Sequence, residues 1–139
     1  MSKCKVEHIS AQGVHRSAHY GQAVCVSGNC KTIYIGGQNA TDEAGRVVGG
    51  DTAAQTRQII ANVARILDAA GAGFKDIIKV TVYLTPAADM RAGAEASAEM
   101  MAAMDNPALV TVVQVAGLAN PAFLVEMEAI AVVDGGEQG

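Results

Sequence analysis

The sequence predicts a single α/β domain of the α+β type, in which a mixed sheet of order ββαβαββ carries two helices on one face. Two segments with apolar residues three and four positions apart alternate with short β-rich runs. Strand–helix–strand connections are right-handed, so both helices are expected on the same face of one sheet. The 139 residues, 50% of them hydrophobic, suffice for one core. We expect one domain over residues 1–139, with flexible ends at about 1–8 and 134–139.

The first half of the chain predicts a β-hairpin followed by a helix. Residues 22–26 and 32–35 are β-rich, and they flank a segment, 27–31, whose Gly and Asn are typical of a hairpin loop. Asp51 is a suitable N-cap for a helix that begins at Thr52 and ends before Gly71. The apolar residues of this helix are expected to pack on the sheet.

The second half predicts two further strands around a helix, and then a final strand. Residues 77–84 alternate between apolar and polar side chains, as expected of a half-buried strand. Residues 87–104, rich in Ala, Glu and Met, form the second predicted helix, with its Met cluster in the core. Residues 109–115 and 123–133 complete the sheet, and the sheet face without helices is expected to be covered by other copies of the chain.

Two carboxylates interrupt the last apolar run. On a strand over residues 123–133, Glu126 and Glu128 share one face, whereas the other face is wholly apolar. A solvated polar face explains this pattern, as is usual for Glu in an antiparallel sheet. A functional explanation requires that a cleft lie over the two carboxylates, because a buried carboxylate must be paired or used.

Charge and cysteine content exclude several classes of function. The net charge is −4, and the ten Lys and Arg are scattered, so nucleic acid is not an expected partner. The sequence contains neither a signal-like start nor an apolar run of about 20 residues, so we expect no membrane partner and a cytoplasmic protein. Three cysteines predict reduced thiols without disulfides. The spacing of His15, His19, Cys25 and Cys30 matches no standard zinc site, so no metal is predicted.

Six segments of the chain together resemble the RidA/YjgF family, and the resemblance spans about residues 20–133. The segments are YGQAV (20–24), GGQ (36–38), LDAAG (67–71), DIIKVTVYL (76–84), QVAGL (114–118) and VEMEAIA (125–131). The resemblance implies a chorismate-mutase-like homotrimer with a ligand cleft between subunits. Members of this family hydrolyse reactive enamines and imines, released by pyridoxal-phosphate enzymes, to a 2-keto acid and ammonia. No cofactor is implied, and the implied ligand is a small molecule.

Transferred residue by residue, the resemblance implies catalytic roles for Glu126 and Tyr20. Glu126 matches the glutamate that positions the attacking water, Tyr20 matches a tyrosine of the cleft, and Gly37 matches a glycine whose backbone contacts the substrate. The chemistry also requires a cation to hold the substrate carboxylate, and an arginine usually supplies it.

That arginine is missing from this chain. Alignment on the QVAGL segment puts Val110 at its position and Val112 at the position of a family cysteine. Alignment on Pro107 instead puts Leu109 and Thr111 there. Ala94 stands at the position where the family has an asparagine in the second helix. The predicted floor of the pocket is therefore apolar. Arg16 or His19 is a candidate replacement cation, although both residue types are usually solvated in loops.

Gln114 is the polar residue that shares the strand face of Val110 and Val112. Its amide could bind a neutral group of a ligand or form a hydrogen bond between subunits, and the sequence leaves both open. Two functions also remain open. The chain is either a divergent RidA-like deaminase or a trimeric protein that binds a small metabolite without turnover. The acidic charge argues against the endoribonuclease activity with which the family has also been labelled.

Overall fold

The computed structural model describes residues 2–136 as eight regular elements around one core. In chain order they are β1 (Lys5–Ile9), β2 (Ala23–Ser27), β3 (Cys30–Gln38), α1 (Thr52–Ala69), β4 (Ile77–Leu84), α2 (Met90–Ala102), β5 (Leu109–Gln114) and β6 (Val125–Asp134), with a short 3₁₀ turn (Phe74–Asp76) before β4. The α+β class, the mixed sheet and the two helices are confirmed.

Strand β6 lies at the centre of the main sheet. The strand order is β3-β6-β4-β5, in which β6 runs antiparallel to both β3 and β4, and β5 runs parallel to β4. Along β6, Val125, Met127, Ala129 and Ala131 are buried beneath the helices. Glu126 and Glu128 alternate with them and point to the opposite face, as the sequence predicts.

Helix α1 covers this sheet with its apolar stripe. Asp51 caps the helix by accepting a hydrogen bond from the Ala54 backbone N–H at 2.8 Å. Ile59, Val63 and Leu67 are fully buried. At the far end, Gly71 adopts a φ of 76°, a left-handed conformation that only glycine adopts without strain, and the helix ends there.

The N-terminal segment differs from the prediction. Residues 5–9 form β1, and β2 pairs antiparallel with β1. Strands β2 and β3 are not neighbours in either sheet, so the predicted hairpin between them is wrong. Instead, residues 2–4 pack on the turn between these strands, where Lys3 pairs with Asn29. The five residues of β1 include only two apolar side chains, which gave no periodic signal.

The cysteine prediction is also wrong. Cys4 and Cys30 form a disulfide with their Cα atoms 4.7 Å apart, and Cys25 is a free, exposed thiol on β2. The two half-cystines are 26 residues apart in sequence. They meet because β1 returns alongside β2, a pairing that the number and spacing of cysteines do not reveal.

A buried glutamine positions the start of β6. Gln55 on α1 is 1% exposed, and its amide donates hydrogen bonds to the carbonyls of Gly49 and Ala122 at 3.1 and 2.8 Å. Its side-chain oxygen accepts from the Leu124 backbone N–H at 2.8 Å. The side chain therefore fixes the segment that leads into Glu126.

Helix α2 packs on α1 through Gly93, where an added Cβ would lie 3.4 Å from Thr52 Cγ2. Met100 and Met104 are buried in the core, whereas Met90 is exposed, so the predicted Met cluster is only partly buried. Within residues 2–136, neither helix is long and apolar enough to cross a membrane.

Candidate functional site

The helix-free face of the main sheet carries most of the polar groups of the candidate site. We call this surface the open face. It consists of Tyr34, Gly36 and Gly37 on β3, Lys79, Thr81 and Tyr83 on β4, Leu109, Thr111 and Val113 on β5, and Glu126, Glu128 and Ile130 on β6. Tyr34, near the centre of the open face, is 77% exposed, and Glu126 and Glu128 are half-buried.

Glu126 lies against the backbone of Gly37. The pairing of β3 with β6 shifts register between Ile35 and Gln38, so Gly36 and Gly37 form a bulge. A Cβ built on Gly37 would lie 2.6 Å from Oε2 of Glu126 and 2.9 Å from its carboxyl carbon. The absence of a side chain at Gly37 therefore leaves the space that the carboxylate occupies.

Glu128 is held by a tyrosine that the sequence analysis did not single out. The Tyr83 hydroxyl donates a hydrogen bond of 2.5 Å to Oε1 of Glu128. This hydrogen bond, together with desolvation and the negative charges of Glu128 and Glu126, raises the pKa of Tyr83 above its ordinary value of 10.0. The alternation of residues 77–84 put Tyr83 on the polar face, but its partner depends on the register of β4 with β6.

The register of β5 with β4 shows which side chains of β5 share the open face with Glu126. Leu109 pairs with Lys79, and Thr111 pairs with Thr81, so both lie on the open face with Glu126. Of the two positions that the resemblance offers for the family arginine, position 109 therefore lies on the open face and position 110 does not.

Val110, Val112 and Gln114 lie on the opposite face. They pair with Val80, Val82 and Leu84, which face the helices. Within one chain their orientation separates them from Glu126. A shift of one residue along a strand reverses the face of every side chain, and the two possible alignments differ by one residue.

Tyr20 and His19 also lie away from Glu126. Together with Val110, Val112 and Ala94, they border an apolar groove of about 670 Å³ beneath α2. Arg16 borders another pocket, of about 180 Å³, beside Tyr20 and Pro107. The Gly21 backbone N–H donates to the Ala108 carbonyl at 3.0 Å, which fixes this loop at the start of β5.

One chain therefore does not bring Tyr20 and Glu126 together. The loop of Tyr20 lies next to Leu109, whose partner on β4 is Lys79. The partner of Glu126 on β4 is Tyr83. Four residues of strand separate these points, or about 13 Å at about 3.3 Å per residue. Among residues 2–136, no three His, Cys, Asp or Glu side chains are arranged to hold a metal ion.

Comparison with known proteins identifies the family. Residues 11–133 match the family model described as Endoribonuclease L-PSP. The chain is 42% identical over 113 residues to a RutC family protein of Pyrococcus abyssi, covering 81% of this chain and 84% of that one. It is 44% identical over 66 residues to the 2-iminobutanoate/2-iminopropanoate deaminase of Bos taurus, covering 47% of this chain and 46% of that one.

Solved structures agree with this assignment. A Rid-family protein of unknown function from Yersinia pestis superposes with a TM-score of 0.78 at 31% identity, covering 92% of this chain and 98% of that one. RidA from a Psychrobacter species gives a TM-score of 0.66 at 30% identity, covering 91% of this chain and 99% of that one. The architecture is the Rid fold. The chain belongs to the RidA/YjgF family.

Proposed function

We propose that this protein is a divergent RidA-like deaminase that hydrolyses a reactive enamine or imine to a carbonyl compound and ammonia. Family membership and the similarity to 2-iminobutanoate/2-iminopropanoate deaminases support this reaction class. The observation that carries the proposal is the position of Glu126, whose half-buried carboxylate lies in the space beside Gly37. A carboxylate fixed in this way is suited to general base catalysis.

The hydrolysis needs one base and no cofactor. Glu126 accepts a proton from water as the water oxygen bonds to the carbon of the C=N group, whose π electrons move to nitrogen. Protonated Glu126 returns this proton to nitrogen, which gives a carbinolamine. Glu126 then carries the hydroxyl proton of the carbinolamine to nitrogen, and the C–N bond breaks as the C=O bond forms, so that ammonia leaves. The backbone at Gly37, free of a side chain, lets the substrate approach Glu126 closely.

We further propose that the site is completed in a homotrimer. The open face presents Tyr34, Val113 and Ile130 to solvent in a single chain, and burial against another copy would remove this apolar surface from water. Tyr20 lies about 13 Å along the sheet from Glu126 in its own chain, at about 3.3 Å per residue. A neighbouring subunit is therefore the proposed source of the tyrosine that orients the substrate near Glu126.

Leucine at position 109 is the main proposed difference from a deaminase that binds its substrate carboxylate with an arginine. A bidentate hydrogen bond to a charged group contributes about 1.5–3 kcal/mol, so its loss weakens binding of a carboxylate by about tenfold to a hundredfold. The substrate is then expected to depend less on such a clamp. The same residue favours a second candidate, a trimeric protein that binds a more apolar metabolite in these clefts without turnover.

Ammonia release separates the two candidates. Wild-type protein is incubated with a panel of freshly generated imines, and Glu126→Gln is compared with Glu99→Gln, an exposed position on α2. The deaminase proposal expects activity in wild type and Glu99→Gln, and a loss of at least about a hundredfold in Glu126→Gln. Equal inactivity of all three proteins, with saturable ligand binding in a thermal-shift screen, would establish the binding protein instead.

A further inference from the structure

We propose that the loop between β1 and β2 (residues 10–22) binds a small tetrahedral oxoanion, either phosphate or the phosphate group of a phosphorylated metabolite. The site is the pocket of about 180 Å³ at Arg16, and none of the residues that border it belongs to the open face. The inference goes beyond the proposed deaminase function, and its test does not depend on turnover.

Three separate segments of the chain meet at Gly21 to form this pocket. The Gly21 backbone N–H donates to the Ala108 carbonyl at 3.0 Å. A Cβ built on Gly21 would lie 3.1 Å from the Pro107 carbonyl oxygen and 3.8 Å from Nδ1 of His8. The loop, the segment before β5 and strand β1 therefore lie close together at one point, and residues from all three border the pocket.

The loop itself is fixed by the side chain of Gln22. Its Oε1 accepts a hydrogen bond from the Ala11 backbone N–H at 2.7 Å, and its Nε2 donates to the His15 carbonyl at 3.2 Å. Ser17 Oγ accepts from the His19 backbone N–H at 3.0 Å, so the hydroxyl hydrogen of Ser17 is available to a ligand. The pocket therefore has a defined shape before a ligand binds, which lowers the entropic cost of binding.

The polar groups that border the pocket are suited to an oxoanion. Arg16 offers its guanidinium, His8 an imidazole N–H, Ser10 and Ser17 their hydroxyls, and Asn106 its amide. Because these donors come from three segments, they can approach a ligand from several sides. A tetrahedral anion accepts hydrogen bonds from several directions, whereas one guanidinium can satisfy a planar carboxylate. The pocket is smaller than the about 300 Å³ at which sites for whole small molecules begin, so it suits a single group of this kind.

The charges in this region favour an anion. The chain has a net charge of −4, yet it contains no Asp or Glu between Glu7 and Asp42, and all three histidines lie in that interval. Among residues 2–136, no acidic side chain borders the pocket. Glu7, next to His8 in sequence, forms an ion pair with Lys5 at 3.4 Å. None of the ion pairs in the described part of the chain includes Arg16, so its charge is available to a ligand.

The test is calorimetric titration with inorganic phosphate in about 150 mM sodium chloride, which screens nonspecific attraction. Wild type is compared with Arg16→Met and His8→Gln. The controls are Arg65→Met, at an exposed position on α1, and His15→Gln, which replaces a histidine of the same loop that does not border the pocket. Melting temperatures without phosphate show that each variant is folded.

If the pocket binds the anion, wild type shows saturable binding of one phosphate per chain. Arg16→Met weakens this binding by about tenfold to a hundredfold, because a charged hydrogen-bond donor is lost. His8→Gln weakens it less, and both controls match wild type. Absence of saturable binding to wild type, or equal affinity of wild type and Arg16→Met, would overturn the inference.

Further titrations separate the possible sources of the anion. Tighter binding of glycerol 3-phosphate than of inorganic phosphate supports a phosphorylated metabolite, and the reverse order supports free phosphate. 2-Oxobutanoate, a carboxylate, should bind more weakly than phosphate. A carboxylate that binds as tightly as phosphate or more tightly, with the same dependence on Arg16, would refute a site for a tetrahedral oxoanion.

Discussion

The carboxylate of Glu126 occupies the space that a side chain at Gly37 would fill, since an added Cβ would lie 2.6 Å from Oε2. Gly36, its neighbour in the same bulge, has no atom within 4 Å of the corresponding position. The two glycines therefore form a natural pair for mutagenesis, in which one contacts the candidate base and the other does not.

Gly37→Ala is expected to lower kcat/KM for imine hydrolysis by at least about tenfold, because the new methyl group displaces the carboxylate from its position. The free energy of unfolding should change by less than about 1 kcal/mol, since only the end of a flexible side chain must move. Gly36→Ala is the matched control and should keep full activity. Equal activity of the two variants in steady-state assays would show that the position of Glu126 is not critical.

Tyr83 is expected to ionise at higher pH than a free tyrosine. The hydrogen bond to Glu128 favours the neutral phenol in the folded state and raises its pKa above 10.0. The corresponding stabilisation is fully present below pH 10 and is lost as pH rises through the raised value. Ultraviolet titration of wild type against Tyr83→Phe isolates this tyrosine. An ionisation midpoint for Tyr83 at or below 10.0 would contradict the hydrogen bond.

The disulfide is expected to stabilise the chain substantially. Cys4 and Cys30 close a loop with a sequence separation of 26, and chain-entropy arguments assign about 2–4 kcal/mol to such a crosslink. Denaturant unfolding of Cys4→Ser measures this loss, and reduction of wild type should reproduce it. Cys25→Ser removes the free thiol and should leave stability unchanged. If Cys4→Ser were as stable as wild type, the crosslink would contribute nothing to the fold.

Gln55 is expected to be among the costliest polar residues to replace. Gln55→Leu removes the partners of two carbonyls and of the Leu124 N–H, each at a partly buried site. We expect a loss of about 2–4 kcal/mol in the free energy of unfolding, since buried groups left unpaired cost about 1–3 kcal/mol each and water satisfies some of them. Gln22→Leu, whose hydrogen bonds are exposed, is the comparison. A smaller loss in Gln55→Leu than in Gln22→Leu would refute this assignment.

The proposed assembly can be tested at Tyr34. This ring is 77% exposed on the open face, so Tyr34→Glu should disrupt a trimer formed through that face. Sedimentation equilibrium is expected to show a trimer for wild type and a smaller species for the variant. Met90→Glu, at an exposed position on α2, should remain trimeric. A monomeric wild type would refute the assembly and the shared site together.

The sequence predicted the helices and strands in which buried residues recur at regular spacing, because packing on the core requires apolar side chains there. The alternation of Val125, Met127 and Ala129 with the two glutamates gave both the strand and its faces, because burial selects every second residue. The spacing of Ile59, Val63 and Leu67 gave α1 for the same reason. Resemblance to the family added the functional assignments of Glu126 and Gly37, which the structure places in contact within one chain.

What the sequence could not predict depends on contacts between distant segments. Strand β1 and the Cys4–Cys30 bond require the pairing of β1 with β2, which five mostly polar residues do not indicate. The faces of Val110 and Leu109 depend on the register of β5 with β4, and local sequence leaves that register open by one residue. The hydrogen bond from Tyr83 to Glu128 is a cross-strand contact of the same kind.

The register of β5 matters to anyone who engineers this protein. A guanidinium introduced by Val110→Arg would enter the apolar groove beneath α2, where desolvation penalises it. The same group introduced by Leu109→Arg would emerge next to Lys79 on the opposite side of the sheet. Substitutions at two adjacent positions therefore place the same charge on opposite faces of the sheet, one buried beneath α2 and the other on the open face.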